Sequence, residues 1–240
     1  MKAAVISSVY YPEISKGKYD IVTKAIKYLE DYAGVDYELF VMNDGTEDDR
    51  FDSFMTNYSN KGYCKDVHFT TRENKGITKS LNELLHQVDD SFDYICLLDM
   101  DTLLPVYWLK KCISVLKQNE SVGMCGVLVE DELDFDFKSG ILRSEEGVLY
   151  CHVNSIGGAC LVFRAKELKD YGFDEDLVSD HVDAYIITRY RLDGKSSYSI
   201  LERGAHEKQI YESPEYIKMK LDRFHKELPK FQQVVNKYKK

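Results

Sequence analysis

The chain has 240 residues, 44% hydrophobic and 30% charged, with a formal charge of −9. That length fits one α/β domain with at most a short extension, and the apolar share excludes a disordered chain. The acidic balance excludes general nucleic-acid binding. No apolar run nears the roughly 20 residues that span a bilayer. The opening MKAAVISSVYYPE lacks the apolar core of a signal peptide, and the six cysteines form no Cys-x-x-Cys pair. Reduced thiols in a cytoplasmic protein are expected.

In chain order, apolar β-rich runs stand at 3–10, 37–43, 66–70, 94–99 and 122–129. Helical patterns lie between them at about 18–31, 47–59, 77–89 and 105–119. This alternation predicts βαβ units and a mostly parallel sheet flanked by helices. Ligands on such sheets bind beyond the carboxyl ends of the strands, where Asn43-Asp44-Gly45 and Asp99-Met100-Asp101 fall. After residue 130 the texture changes. EDELDFDFKSG is acidic and irregular, and GILRSEEGVLYCHV reads as a hairpin turning at Glu146-Gly147. GGACLVF (157–163) predicts a further strand and RAKELKDYG a short helix ended by Gly172. SDHVDAYIITRYRLDGK predicts a helix capped near Ser179 or Asp180 and stopped by Gly194.

From Pro214 onward, Ile217, Leu221, Phe224, Leu228, Phe231, Val235 and Tyr238 form a narrow apolar seam on one amphipathic helix, with Pro229 inside it. The organisation expected is a domain over 1–212, split into a nucleotide-binding half (1–129) and an acceptor-side half with a smaller mixed sheet (130–212). A C-terminal helix over 213–240 follows. That helix carries eight Lys/Arg against three Asp/Glu, a local charge of +5, so the rest of the chain is about −14. Its seam suits an anionic membrane surface, its own domain, or a second copy.

Asp99 and Asp101 are the strongest chemical signal. The same spacing recurs at Asp134-Phe-Asp136 and Asp174-Glu-Asp176, so the tripeptide alone means little. At the end of a central strand, residues i and i+2 point the same way, and their paired hard oxygens suit Mn²⁺ or Mg²⁺. Asp44 is either a turn and cap residue or an acceptor for a base or ribose. Asn74, Gly76 and Lys79 stand at a helix start, where backbone N–H groups and a cation can face phosphates or ribose. Asp180 and Asp183 are one helical turn apart: one a cap, or one a general base. His206 follows a strand-like YSIL and is the histidine placed to reach a cleft.

Taken in order, these segments resemble family-2 glycosyltransferases of the GT-A fold, over residues 3 to about 206. AAVISSVYYP is similar to the family's opening strand and ELFVMNDGTED to its nucleotide-binding strand end. ENKGITKSLN resembles its Asn-x-Gly segment and CLLDMDTLLP its metal-binding Asp-x-Asp. GGACLVFRAKELKDYGFDE resembles the mid-region glycine strand, and DHVDAYIITRYRLDG the Asp-x-x-Asp…Arg…Gly helix of rhamnosyltransferase-like members. The resemblance implies inverting transfer of a hexosyl or deoxyhexosyl group from a UDP- or dTDP-linked sugar. The acceptor would be a glycan or lipid-linked hydroxyl, in bacterial surface glycan synthesis. It places Ser8, Asp44, Asn74, Gly76, Lys79 and Asp99 on the nucleotide side, and Asp99, Asp101 and His206 near the metal. Asp183 falls at the catalytic-base position, six residues before Arg189. Ser179-Asp180 stands where many members have Glu-Asp, which keeps Asp180 in contention. A sugar-1-phosphate nucleotidyltransferase ranks below, because VYYPEISKGK has a single glycine where such enzymes carry a Gly-rich phosphate loop. A non-catalytic nucleotide-sugar-binding protein is the third reading.

Overall fold

A computed structural model describes residues 1–11, 18–46, 48–59, 62–129, 140–154, 156–177, 181–206 and 214–239. Strand β1 (Ala3–Val9) leads to α1 (Lys18–Tyr32), β2 (Tyr37–Asp44) to α2 (Asp49–Asn57), and β3 (Cys64–Arg72) to α3 (Ile77–Gln87). β4 (Tyr94–Leu98) passes through the short β5 (Thr102–Leu103) into α4 (Trp108–Leu116). Next come β6 (Val122–Val129), the hairpin β7 (Leu142–Arg143) and β8 (Leu149–Val153), and β9 (Cys160–Arg164). The chain ends with α5 (Ala165–Tyr171), α6 (Val182–Leu192), β10 (Ser196–His206) and α7 (Pro214–Tyr238).

The strands form one sheet in the order β3-β2-β1-β4-β9-β6-β10-β8-β7, with β5 paired to β10. β1 to β4 are mutually parallel, as the alternating pattern predicts. β9 lies antiparallel between β4 and β6, and β10 runs parallel to β6. The expected mixed portion is therefore continuous with the parallel half.

The central strands β1, β4, β6 and β9 are apolar on both faces because both faces are covered. Val5, Leu39, Cys96, Val127 and Val162 point into a core shared with α1, α2 and α4. Their neighbours Ile6, Phe40, Ile95, Leu128 and Phe163 point into a second core with α3, α5 and α6. All six cysteines are free and buried. Burial pushes the Cys125 and Cys160 thiols well above their ordinary range, which suits inert core residues.

Two helix expectations change. The cap expected for α6 near Ser179 or Asp180 falls on residues 178–180, outside the described residues. The helix begins at Val182, and its N-cap is His181, in the left-handed region at φ 66 with no side-chain cap bond. The α7 seam divides. Its C-terminal half closes on its own domain: Val234 and Val235 are buried, and Phe231 and Tyr238 pack on the α6 side of the sheet. The Arg189 guanidinium lies 3.7 Å from the Tyr238 ring centre, and Lys237 pairs with Asp174 and Asp176 at 3.2 and 2.7 Å. Leu221 and Phe224 remain 52% and 42% exposed. The Asp134-Phe-Asp136 pair and the rest of 130–139 lie outside the described residues.

The carboxyl ends of β2 and β3 are tied by a buried ion pair. Asp44, 1% exposed, accepts Arg72 Nε at 2.9 Å and the N–H groups of Lys75 and Gly76 at 3.0 Å each. Arg72 also donates to Ser80 Oγ at 2.6 Å and pairs with Glu83. Gly45 completes the junction. At φ +84, a Cβ there would stand 2.6 Å from the Asn74 nitrogen, so only glycine lets β2 end against this loop. Removing one partner of a buried pair leaves the other desolvated. Asp44→Ala is therefore expected to cost about 3 kcal/mol in urea unfolding, with Asp44→Asn costing less because it keeps one acceptor. Unchanged stability for Asp44→Ala would show that the carboxylate does not hold this junction.

Candidate active site

The carboxyl ends of β2, β1 and β4 lie side by side at one edge of the sheet. Adjacent strands are about 4.8 Å apart, so the ends of β2 and β4 are separated by roughly 10 Å. Ser8, half-buried, stands between them, in register with Met42. Asn74 and Lys79 are exposed on the loop and first turn leading into α3, and Gly76 takes φ 96 as the α3 N-cap. The Gly76 N–H, expected to face a phosphate, is directed instead to Asp44. Asp44 thus holds the loop that displays Asn74 and Lys79.

Asp99 and Asp101 leave β4 in a turn rather than on an extended strand. The Thr102 N–H donates to the Asp99 carbonyl at 3.2 Å, closing a β-turn whose ends lie within about 7 Å. Strand alternation does not align the two acids; the turn keeps them close. Asp99 is exposed, Met100 is buried, and Asp101 is 6% exposed. Two segments clasp the turn. The Asp99 N–H donates to the Ala159 carbonyl at 3.0 Å, and the end of β10 pairs antiparallel with β5, His206 opposite Thr102. The His206 backbone therefore reaches the turn; its side chain is outside the described ones.

Asp183 approaches from the other side. It sits half-buried in the first turn of α6, with Oδ1 accepting the Ala184 N–H at 2.8 Å. A Cβ on Gly158 would lie 3.3 Å from the Asp183 Cβ and 3.9 Å from Oδ2. Gly158 therefore leaves room beside this carboxylate. Residues 158 and 159 are consecutive, so one short stretch touches Asp183 with its first residue and Asp99 with its second. Asp180 lies outside the described residues. Arg189 points elsewhere, stacked on Tyr238 and Tyr171.

The donor set of the 99–101 turn fits a divalent cation: two hard carboxylates at the ligand edge of a central strand. Among the described residues a second group, Glu38, Asp66 and His68, brings its ligand atoms within 4.8 Å of one another. It lies near the amino ends of β2 and β3, six residues or about 20 Å along the strand from Asp44. There Glu38 binds Lys2 at 2.9 Å and His68 at 2.8 Å. Burial raises the Glu38 pKa, but hydrogen bonds from Lys2 and His68 outweigh it and hold the carboxyl below its usual range. In this cluster Lys2 already supplies Glu38 with a positive charge.

Sequence reasoning missed Arg72, Gly158, Ala159 and His181. Arg72 was visible at a strand end, but only the β2–β3 register puts it opposite Asp44. The other three matter through strand order and a cap conformation.

A model of glycosyl transferase family 2 matches residues 13–189. No relative is found among curated proteins. Among solved structures, S. aureus TarS 1–349 in complex with UDP aligns with TM-score 0.58 and 16% identity, covering 85% of this chain and 60% of that one. The mannosyltransferase PcManGT from Pyrobaculum calidifontis, with GDP-Man and Mn²⁺, aligns at TM-score 0.61 and 13% identity, covering 87% and 58%. GalNAc-T7 with UDP, GalNAc and Mn²⁺ aligns at 0.60 and 9%, covering 85% and 43%. This chain thus spans three fifths or less of these proteins, which share its fold. No helix among the described residues is long and apolar enough to cross a membrane. With the family model matching well over half its length, the chain has the GT-A fold and belongs to glycosyl transferase family 2.

Proposed function

We propose that the chain is an inverting, metal-dependent glycosyltransferase that moves a hexosyl or deoxyhexosyl group from a UDP- or dTDP-linked sugar to a glycan or lipid-linked hydroxyl. The observation that supports this reading is the 158–159 stretch, where the Ala159 carbonyl accepts the Asp99 N–H and Gly158 lies against Asp183. Family membership supports the reaction class. The nucleotide or nucleotide-sugar complexes of TarS, PcManGT and GalNAc-T7 support the donor class, two of them with Mn²⁺. The rhamnosyltransferase-like pattern of α6 favours a deoxyhexose or hexose for a bacterial surface glycan.

Asp99 and Asp101 would hold Mn²⁺ or Mg²⁺, which supplies positive charge opposite a leaving diphosphate. Asn74 and Lys79 face the nucleotide from the loop that Asp44 braces, with Ser8 beside them. Asp183 takes the proton of the acceptor hydroxyl; Oδ1 is fixed by Ala184, and Oδ2 is the oxygen left for the acceptor. Inversion needs one displacement and one base, so a single carboxylate on this side suffices.

The test is release of nucleoside diphosphate from a panel of nucleotide sugars, with acceptor and Mn²⁺ present. Asp183→Asn should lower turnover by about two to four orders of magnitude while UDP affinity in Mn²⁺ stays within twofold. Asp101→Ala should abolish the Mn²⁺ dependence of UDP binding. UDP affinity equal with and without EDTA would remove the metal, and full activity of Asp183→Asn would remove the base.

We also propose that the exposed half of α7 rests on the anionic inner face of a membrane. Leu221 and Phe224 stand three apart on the helix, with Lys218, Lys226 and Lys230 exposed around them. Two side chains are little area for a dimer, whereas each lysine near an anionic surface is worth about 1 kcal/mol. The full chain should float with phosphatidylglycerol vesicles, and Leu221→Glu should release it. No flotation would remove the membrane contact, and concentration-dependent dimerisation lost in Leu221→Glu would replace it with a second copy.

A further inference from the structure

We propose that His181 is a positioning residue through which α7 sets the first turn of α6, and with it Asp183. This rests on the reading of Asp183 as the base. Among the described residues, His181 and Tyr107 are the non-glycine residues at positive φ. That conformation costs a non-glycine residue on the order of 1–2 kcal/mol, so something must hold it. What holds it is α7. The His181 ring stacks on Phe231, centroids 5.0 Å apart and planes within 20°, and tilts against Phe224 at 4.3 Å. Its Nε2 lies 3.3 Å from the Phe224 carbonyl oxygen; a carbonyl only accepts, so Nε2 carries the proton.

The other end of the same residue opens α6. The His181 carbonyl accepts the Tyr185 N–H at 2.8 Å, the first bond of the helix, and Asp183 lies within that turn. α7 is a firm platform for the contact. Val234 is buried, Tyr238 stacks under Arg189, and Lys237 is paired twice. His181 therefore couples a helix remote in sequence to the direction in which Asp183 faces Gly158.

Displacing a catalytic group by about 1 Å can cost on the order of 100-fold. Two variants separate ring from backbone. His181→Gly keeps positive φ without strain but loses the ring. Phe231→Ala keeps His181 but removes its stacking partner. Each should lower kcat roughly 10- to 100-fold with UDP–Mn²⁺ affinity and circular dichroism unchanged. The double variant should be no worse than the poorer single one, because both break one contact, and Phe231→Tyr should retain kcat. Hydrogen exchange at the Tyr185 amide, which needs no activity, should quicken at least fivefold in both single variants.

Wild-type exchange in both variants would overturn the latch. Faster exchange with wild-type kcat, or kcat and UDP affinity falling together, would overturn the positioning role. A wild-type chain that transfers no sugar from any donor would remove the glycosyltransferase reading and this role with it, while the exchange result still reports on the latch.

Discussion

Strand β9 runs against both of its neighbours, and the candidate site depends on that reversal. A strand parallel to β4 would bring its carboxyl end to the ligand edge; β9 brings its beginning. The residues just before it, Gly158 and Ala159, are therefore delivered to the Asp99 turn and to Asp183. The register is fixed from both sides of the sheet. Leu161 and Phe163 fill one core, Cys160 and Val162 the other, and a slip of one residue would exchange the two sets. Leu98 opposite Cys160 and Gly126 opposite Leu161 hold that register on either edge.

The acids at this edge divide by position. Asp44 is satisfied by a guanidinium and two N–H groups within the fold, so its charge serves architecture. Asp99 and Asp183 meet the 158–159 stretch, with Asp101 in the same turn as Asp99, in a chain that is acidic overall. Such a concentration of hard oxygens suits a cation and a proton in transit better than it suits an anion alone. Lys79, on the other side, is exposed on α3.

Much of this was legible in the sequence because burial on two faces leaves a plain mark. The runs at 3–10, 37–43, 94–99 and 122–129 are mostly apolar and became strands of the central sheet. The Asp-x-Asp was legible by its place at the end of such a run. Its geometry was not, since two residues of turn look the same in sequence as two of strand. The position of β9 was hidden for a different reason. Periodicity tells a strand from a helix but not which neighbours it takes, and its partners lie 35 to 70 residues away. His181 was hidden by its own type, because an N-cap is sought among Ser, Thr, Asp and Asn. The α7 seam predicted one continuous face; tertiary packing used its C-terminal half, left Leu221 to solvent and kept Phe224 half-exposed beside His181.

The strand order has a consequence for how the chain is made. Synthesis delivers β1 to β4 first, and these complete a parallel sheet with α1, α2 and α3 around it. The outer edge of β4 then stays open, because its partner begins only at Cys160 and β6 cannot take that place without β9 between them. An unpaired, apolar, central strand is the kind of edge on which chains aggregate. The nascent protein must carry that edge through the synthesis of α4, β6 and the whole 130–159 region, some seconds at ribosomal rates. The acidic stretch EDELDFDFKSG follows β6 directly, so the segment made during that interval is strongly charged rather than apolar.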